Sequence, residues 1–438
     1  MTDVLTTTLF NNKIYFFFSI KSKQLITYQF NGGYRAIETV RLLKEGEMNN
    51  TCRKSLLASG LVAVSSSASG NNGDQMVGFS AISNAMGGAV VALPQDVTTS
   101  LSNPAGLSFL NLGPTKSRFD MNLAVLAPER VLNGVESDGD AYVLATGGFA
   151  FESELMGDGF TVGVGAYPIS GGGVDFPKEA FVMPTPNGAQ EISIVANRQS
   201  LRIGPAVSYQ VNSRFSLGAN LSLASNMMSL KGIRNFPTDV AYGYAWVLGT
   251  TYKPSDSVIL GFAYTSESKS SDLKWHTDDG TYRLSFEDPR TVNVGIGYEP
   301  NPRWQLEADV KWLNYSEVRD ENVLDGPNGD QLISYGWDDQ VVYALGLRYL
   351  IPARYTLMAG YNYGESPLGP EDVNNNIGAT AIVEHHLSAG LGVQISRFSS
   401  LTFSWIRGFE NSLTASTGLP TEVSFETDMY TLQFTYKN

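Results

Sequence analysis

One apolar stretch, Ser83–Leu110, reads SNAMGGAVVALPQDVTTSLSNPAGLSFL and does not alternate between apolar and polar residues. It carries Gly87-Gly88, a helix-start signal at Asp96, and the run Asn103-Pro104-Ala105-Gly106. Nearly everything after it reads as strands that alternate in polarity and are separated by turns and loops. We therefore expect the strands to close into a membrane barrel. This stretch would then lie inside the barrel as a plug formed by residues 71–115.

The composition suits a membrane β-sheet. Charged residues make up 17% of the 438 residues, below the ~25% that is usual for soluble domains. Beyond the N-terminal region, no apolar run reaches the ~18 residues that suggest a membrane-spanning helix. A membrane β-barrel spreads its hydrophobicity over alternate residues, although an array of soluble β-sandwiches is the alternative. The net charge of −13 argues against nucleic acid as a partner, and the single cysteine, Cys52, excludes an internal disulfide.

Residues 48–70 have the pattern of a secretory signal peptide. The basic pair Arg53-Lys54 precedes the apolar core Leu56–Val64, and small residues follow it. Because a signal peptide begins a protein, we expect Met48 to be the true start. Residues 1–47 would then be a wrongly assigned upstream extension. A genuine N-terminal extension is the alternative.

The segment from Trp304 to Trp312 shows the clearest alternation of the chain. One face is apolar and the other is polar or charged, because successive strand residues point to opposite faces. The apolar face carries Trp304, Leu306, Ala308, Val310 and Trp312, and the other carries Gln305, Glu307, Asp309 and Lys311. A wall between lipid and a wet lumen has these two faces, whereas a sandwich core does not.

Similar alternation over residues 116–438 predicts an all-β fold, a transmembrane antiparallel barrel of about fourteen strands. The first three strands are expected near 116–127, 141–152 and 159–168. Short turns alternate with longer polar loops, as they do where short periplasmic turns and long external loops join barrel strands. An even number of strands would leave both chain ends in the periplasm.

Several motifs carry a resemblance to a known family. They are Ala85-Met86-Gly87-Gly88-Ala89, Asn103-Pro104-Ala105-Gly106-Leu107, Trp304-x4-Asp309-x2-Trp312-x2-Tyr315, Gly336-Trp337-x-Asp339, and Ala359-Gly360-Tyr361-x-Tyr363-x2-Ser366-Pro367. In this order they resemble the outer-membrane transporter family for long-chain fatty acids and aromatic hydrocarbons, the FadL/TodX type. The resemblance covers roughly residues 76–438. One departure is the chain end, where Lys437-Asn438 follow the aromatic Tyr436.

The resemblance implies a plugged barrel in the outer membrane of a Gram-negative-type bacterium. It also implies a monomer, inserted by the barrel assembly machinery and surrounded by outer-membrane lipid. In this family a kink in the third strand opens a sideways passage. Here we expect the kink around Gly165, Pro168 and Gly171, because proline removes a ladder donor and glycine weakens strand packing.

The plug and the lumen supply the candidate site residues. Asn103-Pro104 could be a functional hinge or a helix terminator that anchors the plug, and Ala105 follows it in the same motif. Asp96 fits an N-cap.

In the lumen, Arg202 or Lys311 could attract a carboxylate head while Met86 and Leu107 hold an apolar tail. Solvated lumen lining is the alternative for both cations.

Catalysis is not expected from this sequence. It has three histidines, His276, His385 and His386, and no nucleophile marked by its neighbours. Adjacent strand residues face opposite sides, so the pair His385-His386 is a poor metal site. We expect no cofactor and no metal. The sequence predicts passive uptake of hydrophobic small molecules, either long-chain fatty acids or aromatic hydrocarbons, through a plugged barrel with lateral release. The alternative is a general porin or a structural barrel.

Overall fold

The computed structural model describes residues 72–437 except 187, 233 and 353, and the backbone of four N-terminal strands. The chain divides into two compact units, Met1–Val62 and Ala63–Asn438. In the first unit the strands Val4–Phe10, Lys13–Ile20, Gln24–Asn31 and Arg35–Arg41 pair in sequence order as an antiparallel sheet. The predicted signal peptide lies outside the described residues. The assignment of residues 1–47 as an upstream extension stays a prediction.

Fourteen antiparallel strands form a closed barrel within the described part of the second unit. They are β1 (Ser117–Leu132), β2 (Tyr142–Glu152), β3 (Phe160–Phe176), β4 (Ile194–Asn212), β5 (Phe215–Lys231), β6 (Phe236–Tyr252), β7 (Val258–Thr265), β8 (Thr291–Asn301), β9 (Trp304–Leu313), β10 (Gln340–Ile351), β11 (Tyr355–Gly364), β12 (His385–Gln394), β13 (Ser399–Thr414) and β14 (Glu422–Lys437). Each pairs with the next along the chain. The barrel closes where β14 pairs with β1, from Lys437–Arg118 to Val423–Leu132. The predicted fold and strand number are confirmed.

The two faces of the wall differ as the alternation predicts. On β5 the outward Leu223 is 70% exposed, whereas inward polar residues such as Gln433 on β14 are fully buried. On β9, Glu307 and Asp309 face inward and are buried, while Leu306 and Val310 face outward and are exposed. The apolar outer surface satisfies a lipid environment. Closure of the sheet lets the backbone donors and acceptors of the strands bond to one another, because lipid offers them no hydrogen-bond partners.

Short and long connections lie at opposite ends of the barrel. The short-turn end includes the turns β4–β5 and β8–β9, and the chain enters and leaves the barrel there. The long-loop end carries small elements of its own: strands Val135–Glu136, Val182–Thr185, Gly188–Glu191, Lys269–Ser270, Leu273–Thr277, Gly280–Leu284, Glu321–Asp325 and Gln331–Ser334, and short helices Lys178–Ala180, Ser316–Arg319 and Val373–Asn375. These loops pack a hydrophobic cluster that includes Phe181, Trp337 and Ile382. They therefore cap the long-loop end of the lumen.

The plug, residues 72–116, is built from three short helices and irregular backbone. The helices are Ala81–Ala85, Thr99–Ser102 and the 3₁₀ helix Pro104–Phe109. The first helix begins with a capping box, in which the Ser83 amide donates to Ser80 Oγ (3.0 Å) and the Ser80 amide donates to Ser83 Oγ (2.8 Å). Among the described residues, no helix is long and apolar enough to cross a membrane.

Candidate functional site

Two inward carboxylates of β9 hold the middle of the plug. Asp309 Oδ2 accepts from the backbone amides of Val90 and Val91, at 2.9 and 3.0 Å. Glu307 Oε1 accepts from the amides of Ala92 and Leu93, at 2.6 and 3.0 Å. These bonds satisfy irregular backbone that has no strand partner, and such charge-assisted bonds are the stronger kind. The plug thus lies inside the barrel, attached to its wall.

Inward glycines bring the plug directly against the strands. At eight of them an added methyl group would stand 2.6 Å or less from a plug atom; they are Gly218, Gly249, Gly261, Gly295, Gly297, Gly346, Gly360 and Gly390. For example, a methyl group on Gly346 would stand 2.6 Å from Met86 Cε and 2.9 Å from Met86 O. We call these eight residues the glycine seats. They explain how a barrel wall and a plug can pack without intervening side chains.

Gly87 and Gly88 are required by the path of the plug itself. Their φ angles are 64° and 84°, in the left-handed region that favours glycine. A methyl group on Gly87 would also lie 2.8 Å from the backbone nitrogen of Tyr361 on β11. The carbonyl of Gly87 accepts from Asn362 Nδ2 at 3.0 Å. The pair therefore turns the chain where it touches the wall.

Asn103 links two plug helices and ties them to β6. Its Oδ1 accepts from the Ala105 amide at 3.2 Å, which caps the 3₁₀ helix that begins at Pro104. Its Nδ2 donates to the carbonyls of Val91 (2.7 Å) and Thr250 (3.0 Å). These bonds favour the anchoring interpretation over the hinge. Ala105 adds to the attachment, since its carbonyl accepts from Ser208 Oγ and Ser216 Oγ, each at 2.9 Å.

Asp96 lies beside the start of a helix but is not its N-cap. Thr98 occupies the N-cap position of helix Thr99–Ser102 and makes no side-chain capping bond. Asp96 Oδ1 instead accepts from the Thr98 amide at 2.9 Å and from Thr98 Oγ1 at 2.5 Å. This local turn arises because Asp readily bonds to backbone two residues on. The predicted N-cap is therefore displaced by two residues.

The residues proposed to hold a ligand are not gathered in one place. Met86 and Leu107 are fully buried, Met86 against Gly346 and Leu107 against Gly163 on β3. Lys311 faces the lumen on β9, next to the plug-binding Asp309. Met86 and Leu107 have the placement of packing residues, so their role in ligand binding stays a prediction. Arg202 lies elsewhere, in the charged cluster described below.

The pairing of β3 with β2 ends halfway along β3. The ladder stops at Gly147–Ala166, yet β3 continues to Phe176 and pairs with β4 throughout, with one irregularity near Ile169. The free edge is taken by the plug instead: the Met76 amide donates to Ile169 O at 3.0 Å, and the Gly171 amide donates to Asp74 O at 2.9 Å. A three-residue piece of plug thus replaces a barrel strand at this opening.

The predicted kink in β3 stays a prediction, although a one-residue irregularity lies at Ile169, between Pro168 and Gly171. Around Gly165, Pro168 and Gly171 the strand stays extended, because β4 pairs with it on the other side. The sheet opens between strands rather than within one. Gly165 makes room for the Tyr167 ring, whose hydroxyl donates to the plug carbonyl of Val97 at 3.2 Å.

A buried charged cluster lies next to this opening. Asp288 accepts from Arg198 Nη2 (2.7 Å), Ser170 Oγ (2.6 Å) and Ser200 Oγ (2.5 Å), and Arg202 Nη2 lies 3.8 Å away. Burial alone would raise the pKa of Asp288, but the two guanidinium groups and the hydroxyls outweigh it and hold that pKa below the ordinary value.

The plug contributes Asp74 to the same charged cluster. Its carboxylate binds Arg198 and lies 3.4 Å from Arg319 Nη2, and Tyr315 Oη donates to it at 3.1 Å. Tyr315 also donates to the Asn72 carbonyl at 2.7 Å. Among the described residues the cluster therefore joins three guanidinium groups to two carboxylates. It pins the start of the plug at the opening in the wall.

The histidines do not form a catalytic pair among the described residues. His276 Nδ1 contacts Thr281 Oγ1 at 2.9 Å in an exposed loop, and His385 Nδ1 contacts Tyr361 Oη at 2.7 Å. His386 is buried on the opposite face of β12, and neither of its ring nitrogens has a hydrogen-bond partner.

Sequence reasoning missed Asp74, Asp288, Arg198 and the glycine seats. The cluster joins residues that are far apart in the chain, and alternation does not show which inward residues meet. The seats carried a signal, because glycines recur at inward positions of several strands, but the plug segment facing each one could not be assigned.

Comparison with known proteins supplies the family. A family model described as outer membrane protein transport protein (OMPP1/FadL/TodX) matches residues 226–437. No curated protein matches the chain by sequence.

The fold is shared with solved structures. The toluene transporter TodX of Pseudomonas putida is 22% identical, with 83% of this chain and 99% of that chain covered and a TM-score of 0.69. The toluene transporter TbuX of Ralstonia pickettii is 17% identical, with 83% and 99% covered and a TM-score of 0.69. A FadL homologue from Pseudomonas aeruginosa is 16% identical, with 83% and 99% covered and a TM-score of 0.68. The family-model match places residues 226–437 in the OMPP1/FadL/TodX family of outer-membrane transport proteins, and the whole plugged fourteen-stranded barrel shares the fold of the solved transporters above.

Proposed function

We propose that this protein takes up hydrophobic small molecules, long-chain fatty acids or aromatic hydrocarbons, and releases them sideways into the bilayer. A ligand enters among the long loops. It passes the charged cluster and leaves between β2 and β3 after the plug segment Asn72–Met76 withdraws from the edge of β3. The toluene transporters among the structural relatives support the hydrocarbon option.

The observation that carries the proposal is the unpaired edge of β3. The ladder between β2 and β3 ends at Gly147–Ala166, although β2 extends back to Tyr142; five residues of strand span roughly 17 Å. That length is sufficient for a slender apolar molecule. The plug segment covers the opening together with the chain after β1, where the Asp138 amide donates to Asp175 O at 2.8 Å, and the loop residues Gly378–Ala381. Removing the segment leaves a passage through the wall and leaves the rest of the barrel paired.

The route straight through the barrel is unsuited to an apolar molecule. At the short-turn end a cavity of about 510 Å³ lies beside the plug, and Arg118, Arg348, Lys253 and Lys437 contribute to its lining. Arg348 Nη1 donates to Gln95 Oε1 of the plug at 2.7 Å. Since apolar groups gain free energy by leaving water, the bilayer is the favoured destination. A general porin, the alternative, is disfavoured by the plug and by the apolar cap at the long-loop end.

A reversible cross-link tests the lateral route. Gln75 and Ser170 face each other as an antiparallel bridge, so the double variant Gln75→Cys with Ser170→Cys places two thiols at the cover of the opening. Cys52, the native cysteine, falls within the predicted signal peptide. We expect oxidation to stop uptake of labelled oleate or toluene and reduction to restore it.

The matched control is Asn133→Cys with Glu422→Cys, which joins β1 and β14 away from the opening, where the Asn133 amide donates to Glu422 O at 2.9 Å. Each single variant controls for the loss of its side chain. Uptake that continues with the Gln75–Ser170 link fully oxidised would refute the lateral route. Large ion conductance by the wild-type protein in planar bilayers would instead favour the porin.

A further inference from the structure

Arg130 on β1 is a buried cation without a hydrogen-bond partner for either terminal nitrogen. It faces inward and is 2% exposed, and Nη1 and Nη2 make no hydrogen bond among the described residues. Its guanidinium carbon lies 4.5 Å from the centre of the Phe425 ring on β14. A buried charge stabilised only weakly, by an aromatic face and the neighbouring Tyr142 hydroxyl, is costly to keep. An ionisable group at such a depth usually serves a ligand or a transport path.

The position of Arg130 links it to the opening in the wall. It lines a small cavity together with Gly171, Gly172 and Gly173 of β3 and with Gly73 and Asp74 of the plug. The cavity measures about 20 Å³, which is room for about one water. It would grow if the plug residues Gly73 and Asp74 withdrew, which is the step proposed for ligand release.

The groups around Arg130 leave its charge unneutralised. Asp74 borders the same cavity, but its carboxylate is bound by Arg198 and Tyr315. The Tyr142 hydroxyl lies nearby and donates to Gly173 O at 3.5 Å. Thr380 Oγ1 also lines the cavity and has no partner. Three donor atoms, Nη1, Nη2 and the Thr380 hydroxyl, are therefore free beside the opening.

We propose that Arg130 is a carboxylate-binding station at the side opening and makes this route selective for anionic amphiphiles such as long-chain carboxylates. The inference rests on the lateral release proposed above. Once the plug segment withdraws, the two terminal nitrogens can bind both oxygens of one carboxylate, a geometry in which arginine is strong. The Thr380 hydroxyl can donate to the same head group. A neutral alcohol of equal length has no charge and only one oxygen, so it gains far less from these donors.

Paired probes test the inference in cells in which this protein is the sole uptake route. The variants are Arg130→Met and Arg130→Lys, and the probes are labelled oleate and its neutral counterpart oleyl alcohol. Removing a bond between two charged groups predicts about tenfold slower oleate uptake in Arg130→Met, with a much smaller change for oleyl alcohol. Arg130→Lys keeps the charge but loses the two-pronged geometry, so its rate of oleate uptake should lie between those of the wild-type protein and Arg130→Met. The control is Arg234→Met, since Arg234 also lies 4.5 Å from a ring, that of Tyr282, but in an external loop.

Each outcome decides. A selective loss for oleate in Arg130→Met, absent from Arg234→Met, supports the station. Equal loss for both probes, or no loss for either, overturns it and leaves the proposed transport function standing. If the wild-type protein carries neither probe, the station fails, and labelled toluene then decides whether the proposed function stands. Should Arg130→Met not assemble, Arg130→Lys alone decides, because full oleate selectivity without the forked guanidinium group contradicts the proposed geometry.

Discussion

Gly87→Ala tests whether the plug is seated on the wall. Two costs apply. The φ angle of 64° costs an alanine roughly 1 kcal/mol. The new methyl group would also lie 2.8 Å from Tyr361 N, 2.9 Å from Tyr361 O and 3.0 Å from Tyr361 C. Because ordinary contact begins near 3.4 Å, the backbones must separate by about 0.6 Å. Such overpacking costs a further ~1–3 kcal/mol, and it strains the bond from Asn362 Nδ2 to Gly87 O.

Gly134→Ala separates these two costs. Gly134 has a similar φ of 81°, and a methyl group there meets nothing within 4 Å. Thermal unfolding of the two variants in detergent should therefore show a clearly larger drop in Tm for Gly87→Ala. Planar-bilayer recordings should show raised conductance for Gly87→Ala alone, because the plug has moved off β11. If both variants show the same drop in Tm and keep the low conductance of the wild-type protein, the plug is not seated on the wall at Gly87.

Three further predictions follow from the attachments of the plug and its cluster. Asp309→Ala leaves two buried amides without an acceptor, at ~1–3 kcal/mol each, and should raise conductance in planar bilayers; wild-type conductance would contradict its anchoring role. Asn103→Ala removes two bonds to backbone carbonyls and should lower the Tm by more than Asn328→Ala, the control, which changes an exposed turn residue. The lowered pKa of Asp288 contributes stability that is fully present above the ordinary value of 3.8 and is lost as the pH falls below it. The Tm of the wild-type protein should thus decline more steeply below about pH 4 than that of Asp288→Asn; parallel curves would exclude this contribution.

The wall could be predicted from sequence because its signal is periodic. The alternation in Trp304–Trp312 predicts which side chains face lipid and which face the lumen. The exposure of the side chains from Leu306 to Val310 follows that prediction. The function of the inward residues could not be predicted in the same way. Period two indicates a direction and not a partner, so Glu307 and Asp309 read as solvated lining although they hold the plug backbone.

The sequence placed a sideways opening at the third strand but, for a related reason, could not show how it is formed. Pro168 and the glycines after it signal weak pairing, but they do not say which neighbour is lost. In the structure β4 keeps its pairing with β3, and β2 gives it up beyond Gly147. That choice depends on the plug, because Asp74 and Met76 supply the hydrogen bonds that β2 withholds. A contact between residues so far apart in the chain leaves no mark in local alternation.

The two ways in which the plug is attached imply that only its beginning moves. From Met86 to Ala105 its backbone rests on glycine seats and on the side chains of several strands, so withdrawing it would break many bonds at about 1 kcal/mol each and would unseal the whole lumen. From Asn72 to Met76 it is held by β3 and by the carboxylate of Asp74. An incoming carboxylate offers the arginines the same group that Asp74 offers. The ion pairs that are lost when Asp74 withdraws are therefore replaced by ion pairs to the ligand. We therefore expect gating by the first segment while the body of the plug stays in place, which lets an apolar molecule leave without opening a path for ions.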